Sequence, residues 1–151
     1  MDAFELLKKD HEKVSGIFEK LETTTERGVK TREELFTQLK QELDIHAQIE
    51  EQIFYPVLEE ADETHEITLE AFEEHAVVKQ LLSELEQLSK DDETWGAKLK
   101  VLKENVEHHV EEEEGEMFTG AREVLSSEQI EALGSRMEAA KKEQKKAMAA
   151  G

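Results

Sequence analysis

The chain has no cysteine, which removes disulfide frameworks and thiolate chemistry from consideration. One proline and seven glycines in 151 residues are too few to punctuate many short elements. No segment alternates apolar and polar residues long enough to suggest strands. Bases are scarce: 19 Lys and Arg stand against 38 Asp and Glu, a net charge of −19. That charge repels nucleic-acid phosphates and anionic bilayers, so neither partner is expected. Long apolar runs are also missing. The amino-terminal MDAFELLKKDH reads as an amphipathic helix start and not as an export signal, so a cytoplasmic location is expected. There is no glycine-rich phosphate loop and no Ser/His/Asp or Cys/His nucleophile arrangement.

What is present is helical periodicity, stated twice. Residues 10–22 (DHEKVSGIFEKLE) pair with residues 74–86 (EHAVVKQLLSELE), and residues 46–56 (HAQIEEQIFYP) pair with residues 109–119 (HVEEEEGEMFT). A first helix over about residues 2–24 carries Phe4, Leu7, His11, Val14, Phe18 and Leu21 at spacings of three and four. Thr31 and Glu34 suggest a capping box for a second helix, whose stripe is Leu39, Leu43, His46, Glu50, Ile53 and Val57. Pro56 is expected to kink or end that helix, because it lacks an amide and crowds the preceding turn. A third helix carries Phe72, His75, Val78, Leu82 and Leu85, and a fourth Trp95, Leu99, Leu102, Val106, His109 and Glu113. Ser126 or Ser127 then caps a short amphipathic segment with Ile130, Leu133 and Met137, fraying into KKEQKKAMAAG. The expected fold is all-α: an up-down-up-down four-helix bundle over residues 1–125, with a short additional C-terminal helix and tail over 126–151.

Four histidines and two glutamates sit where the helical pattern calls for apolar side chains. Buried carboxylates at Glu50 and Glu113 need a compensating cation, and no Lys or Arg shares their stripes. Each Glu follows a His by four residues, one turn along the same face. His11, His46, His75 and His109 with Glu50 and Glu113 therefore predict a metal site. The duplication predicts two metals, each on two histidines with both glutamates bridging. Such ligands suit Fe, Mn or Zn. His65 has no counterpart in the other half and reads as a surface or capping residue. His108 also precedes a glutamate by four, but His109 falls in the 99-102-106-109-113 series and aligns with His46.

With these residues in place, the chain resembles the hemerythrin-like, or HHE cation-binding, domains over roughly residues 2–120. The resemblance rests on His11, His46-x3-Glu50 with EEQIFYP, His75, and His109-x3-Glu113 with EEGEMF. It implies a four-helix bundle holding two non-haem iron ions, bridged by carboxylates and an oxo or hydroxo group. Ferritin-like bundles use Glu-x-x-His instead, and no Glu stands three residues before any His here. Oxygen-carrying hemerythrins have a second histidine one turn after the helix 3 ligand. Lys79 occupies that place here, and Ser15 its equivalent in the first half. The more open site this implies favours reaction with hydrogen peroxide, alone or with nitric oxide, in a catalase- or peroxidase-like manner. The alternative is an O2-, NO- or iron-binding sensor or storage module without turnover. Lys79 and Tyr55 are candidate proton or electron donors. On a straight helix, however, Tyr55 points about 180° from His46.

Overall fold

The computed structural model describes residues 1–150. The protein is all-α, a four-helix bundle with one additional helix. Helix α1 (Ala3–Glu22) is followed by α2 (Val29–Ile49), which runs through a π turn (Glu50–Phe54) into α3 (Tyr55–Glu60). Ala61 alone separates α3 from α4 (Asp62–Gln87). Helix α5 (Glu93–Glu112) passes through a second π turn (Glu113–Met117) into α6 (Phe118–Val124), and α7 (Ser127–Ala150) ends the chain.

Side-chain caps set three of the helix starts. Asp2 and Glu5 form a reciprocal capping box at α1, with the Glu5 amide donating to Asp2 over 2.9 Å. Ser126 and Gln129 do the same for α7, and Asp92 caps α5 by accepting from the Thr94 amide. The capping box expected from Thr31 and Glu34 does not form. Helix α2 begins three residues earlier, at Val29 behind Gly28, which places Thr31 inside it. The terminal segment is also longer than expected: α7 has 24 residues and stays helical through KKEQKKAMAA. That run is built from strong helix formers with no Gly or Pro.

Pro56 neither ends the second rod nor needs a sharp kink. It falls in the first turn of α3, where its missing amide has no helical partner to lose, directly behind the π turn. In both π turns an amide bonds back five residues to the carbonyl of the glutamate that opens the turn, Tyr55 to Glu50 and Phe118 to Glu113.

Two apolar clusters fill the bundle. Phe4, Phe54 and Phe118 dominate the one at the π-turn end, with the Phe4 and Phe118 rings 4.4 Å apart. Ile130, Leu133 and Met137 of α7 join this cluster against Ile45 and Ile49. The other cluster is built on Phe18, Phe36, Leu82, Leu102 and Trp95. At its far end the buried Arg32 donates to the Thr24 hydroxyl and the Lys90 carbonyl and stacks on Trp95, tying two interhelix loops together. In every bundle rod a histidine lies between residues of the two clusters, so a polar layer separates them.

Candidate metal centre

Each bundle rod contributes one imidazole to this layer: His11 from α1, His46 from α2, His75 from α4 and His109 from α5. All four are buried, and Glu50 and Glu113, which open the two π turns, are more completely so. The two halves have matching geometry. The His11 and His46 rings lie 4.9 Å apart at 64°, and the His75 and His109 rings show the same values.

Every imidazole is oriented by a second carboxylate. The Nδ1–H groups donate to Glu114 (His11, 2.6 Å), Asp10 (His46, 2.9 Å), Glu51 (His75, 2.8 Å) and Glu74 (His109, 2.7 Å). These partners obey the same duplication, Asp10 matching Glu74 and Glu51 matching Glu114. Sequence reasoning missed them, although the repeated Asp-His or Glu-His and Glu-Glu dipeptides carried the signal. With Nδ1 engaged, each Nε2 faces inward. Glu50 Oε1 lies 3.2 Å from His46 Nε2 and 3.1 Å from His75 Nε2. Glu113 spans the same gap, Oε1 at 3.0 Å from His11 Nε2 and Oε2 at 3.4 Å from His109 Nε2.

Two groups of donors therefore converge: His11, His46, Glu50 and Glu113, and His75, His109 and Glu50. Four buried atoms among them have no hydrogen-bond partner: His11 Nε2, His46 Nε2, Glu50 Oε2 and Glu113 Oε1. Native interiors rarely leave polar atoms unpaired. Among the described residues, neither Glu50 nor Glu113 has a Lys or Arg within ion-pair distance. The donor set fits cations, with neutral imidazole and carboxylate as ligands and a carboxylate behind each imidazole.

Without metal, protons supply the missing positive charge. Burial pushes His46 toward neutrality, but the charge of Glu50 and the hydrogen bond to Asp10 outweigh it and hold its pKa well above 6.5. His109 behaves alike: burial opposes its charge, yet Glu113 and Glu74 raise it to about 10. Burial also pushes the Glu113 carboxyl up, while its close contacts within the centre, with Glu50, His109 and His11, draw it well below 4.5.

Tyr55 is fully buried and turns into the centre. Its hydroxyl donates to Glu113 Oε2 over 2.5 Å and lies 3.1 Å from Glu50 Oε1, 3.2 Å from His75 Nε2 and 3.1 Å from His109 Nε2. Three of these four residues, Glu50, His75 and His109, make up the second group. The straight-helix geometry that pointed Tyr55 away fails because the π turn adds a residue, slipping the helical phase by about 100°. The matching position in the other half holds Phe118, so the hydroxyl makes the centre asymmetric. Burial, then Glu113 and Glu50, keep the phenol protonated by raising its pKa.

Lys79 is not brought to the donor atoms. Its ammonium lies 3.3 Å from Glu51, outward of His75, and only its stem reaches the layer. His108 is largely exposed and pairs with Glu112 at 3.0 Å. His65 is exposed, with Nδ1 donating to the Glu59 carbonyl. A cavity of about 40 Å³ adjoins all four imidazoles on the side away from Tyr55, with walls from Val14, Val78, Leu82 and Val106.

Residues 2–121 match the hemerythrin HHE cation-binding domain, and the chain belongs to that family. A crystal structure of an HHE cation-binding domain-containing protein from Mycobacterium kansasii, described as a homolog of Rv2633c, superposes with a TM-score of 0.87 at 28% identity. The match covers 97% of this chain and 89% of that one. The Mycobacterium tuberculosis protein Rv2633c is 31% identical over 143 residues, 92% of this chain and 84% of its own. A Nostoc protein named DNA nickase is 30% identical over 145 residues, 93% of this chain; the chain spans only 39% of that protein's length. Among the described residues, no helix is long and apolar enough to cross a membrane.

Proposed function

We propose that the protein is a non-haem di-iron protein that consumes a small oxidant, hydrogen peroxide above all, alone or with nitric oxide. The observation that carries this reading is the convergence of four unpartnered, buried atoms, two imidazole nitrogens and one oxygen from each of two carboxylates that reach histidines of both halves. His11 and His46 would hold one iron and His75 and His109 the other, with Glu50 and Glu113 shared. Charge supports two divalent ions. The two bridging and four outer carboxylates carry six negative charges, Lys79 and Lys141 return two, and four remain. Bound iron supplies redox capacity and Lewis acidity for activating peroxide.

The chain's own residues set the conditions. The cavity exceeds the ~10–15 Å³ that one water needs but is far below the ~300–1,000 Å³ of ordinary ligand pockets. It therefore selects molecules of a few atoms, and beyond the histidines its walls are largely valine and leucine. The outer carboxylates hold the imidazoles in the tautomer that presents Nε2. Tyr55 holds a proton at Glu113 Oε2, on the second position only, and is the group placed to deliver it or to approach the metal itself. Nuclease activity is not carried over from the Nostoc protein, and a net charge of −19 disfavours DNA.

The test is to load the protein with iron(II) without oxygen, measure iron per chain, and follow peroxide loss with and without nitric oxide. We expect about two irons per chain and repeated turnover. Iron-loaded protein that leaves peroxide untouched under both conditions refutes the reading; a stable, reversible O2 adduct would make it a sensor or storage module.

A further inference from the structure

The two halves of the centre are alike in their ligands but not in what covers them. Helix α7 packs on α1, α2 and the first π turn, over the apolar Ile45 and Ile49. The matching positions in the second half are His108 and Glu112, polar where the first half is apolar. Beneath α7, Lys141 places its ammonium on Asp10 Oδ1, and the other oxygen of the same carboxylate accepts from His46 Nδ1. Asp10 is 3% exposed and His46 7%, so their contact is buried, while Lys141 caps it from a half-buried position. Its counterpart, Glu74 on His109, is only partly buried and, among the described residues, has no lysine within ion-pair distance. Residues 122–150 lie beyond the stretch matched by the family model, so the lysine comes from outside that stretch.

We propose that Lys141 is a positioning residue for the metal centre. By fixing the Asp10 carboxylate it fixes His46, and the metal position on His11 and His46 thereby depends on the docking of α7, while the position on His75 and His109 does not. This rests on the two-metal reading. A short, buried carboxylate between a half-buried lysine and an imidazole can turn neither way without losing one partner, so the ring keeps its aim. Replacing the lysine leaves Asp10 held on one side only. Outer-shell partners of this kind change metal affinity on the order of 10- to 100-fold.

The experiment follows iron release from the anaerobically loaded full chain to the chelator ferrozine. Lys141→Met is expected to release one iron per chain roughly 10- to 100-fold faster, with the other unchanged. Lys141→Arg should restore slow release, and Lys142→Met, at the exposed neighbouring position, should behave as wild type. Gly134→Val tests the same link through docking alone: its new side chain would collide with the Met1 carbonyl and lie within 2.7 Å of the Ala3 amide nitrogen. It should reproduce the single fast phase. Equal acceleration of both irons, or none, overturns the proposal. A second arm uses metal-free protein and stands even if no iron binds. In imidazole nitrogen spectra, Lys141→Met should move the His46 Nδ1 signal and leave those of His75 and His109 in place, and an unmoved His46 signal overturns the link. Absence of iron from wild type, by contrast, would refute the metal reading while the spectra decide the role of Lys141.

Discussion

Tyr55→Phe is the most informative single change. The ring fits, because Phe118 already occupies the matching position in the other half, so the perturbation is the loss of one hydroxyl. In the metal-free protein that hydroxyl is a 2.5 Å donor to Glu113 and lies 3.1 Å from Glu50, both of them buried carboxylates. A hydrogen bond to a charged group contributes about 1.5–3 kcal/mol. For a chain of this size each kcal/mol moves Tm by about 2–4 °C, so a drop of roughly 3–12 °C is expected. Calorimetry on metal-free wild type and variant measures it, with circular dichroism confirming unchanged helix content. If the metal-free variant is as stable as wild type or more so, the hydroxyl is not holding the carboxylates and its inward aim has no energetic consequence.

Metal-free protein should also lose stability in alkali. His109 is raised from 6.5 to about 10, so the stabilisation from its charge is complete below pH 6.5 and lost as pH climbs through about 10. Tm of the metal-free form should fall over that window, whereas the loaded form, whose imidazoles are already deprotonated, should not follow. His109→Ala should lower metal content per chain, and His108→Ala should leave it unchanged; elemental analysis distinguishes them, and equal loss in both would refute the assignment. Phe54→Ala, which removes a fully buried ring from the π-turn cluster, should cost about 3–5 kcal/mol in denaturant unfolding.

The sequence by itself determined the rods, the duplication and the inward set of His11, His46, Glu50, His75, His109 and Glu113. These follow from spacing along a helix, which composition and periodicity record directly. The choice between His108 and His109 was legible for the same reason: one residue of helical phase separates a core stripe from solvent. Tertiary structure decided what depends on backbone register or on contacts between distant residues. Tyr55 enters the centre only because a π turn advances the phase, and a π turn has no reliable mark in composition: one of the two is followed by proline, the other by Thr119. The outer carboxylates pair across helices, Asp10 with a histidine 36 positions away and with a lysine 131 positions away. Lys79 shares the stripe of His75 on paper, yet its long stem carries the charge outward to Glu51. Helical phase is a local property and can be read one turn at a time. Which carboxylate meets which imidazole, and on which half the last helix lies, is settled only when the rods pack.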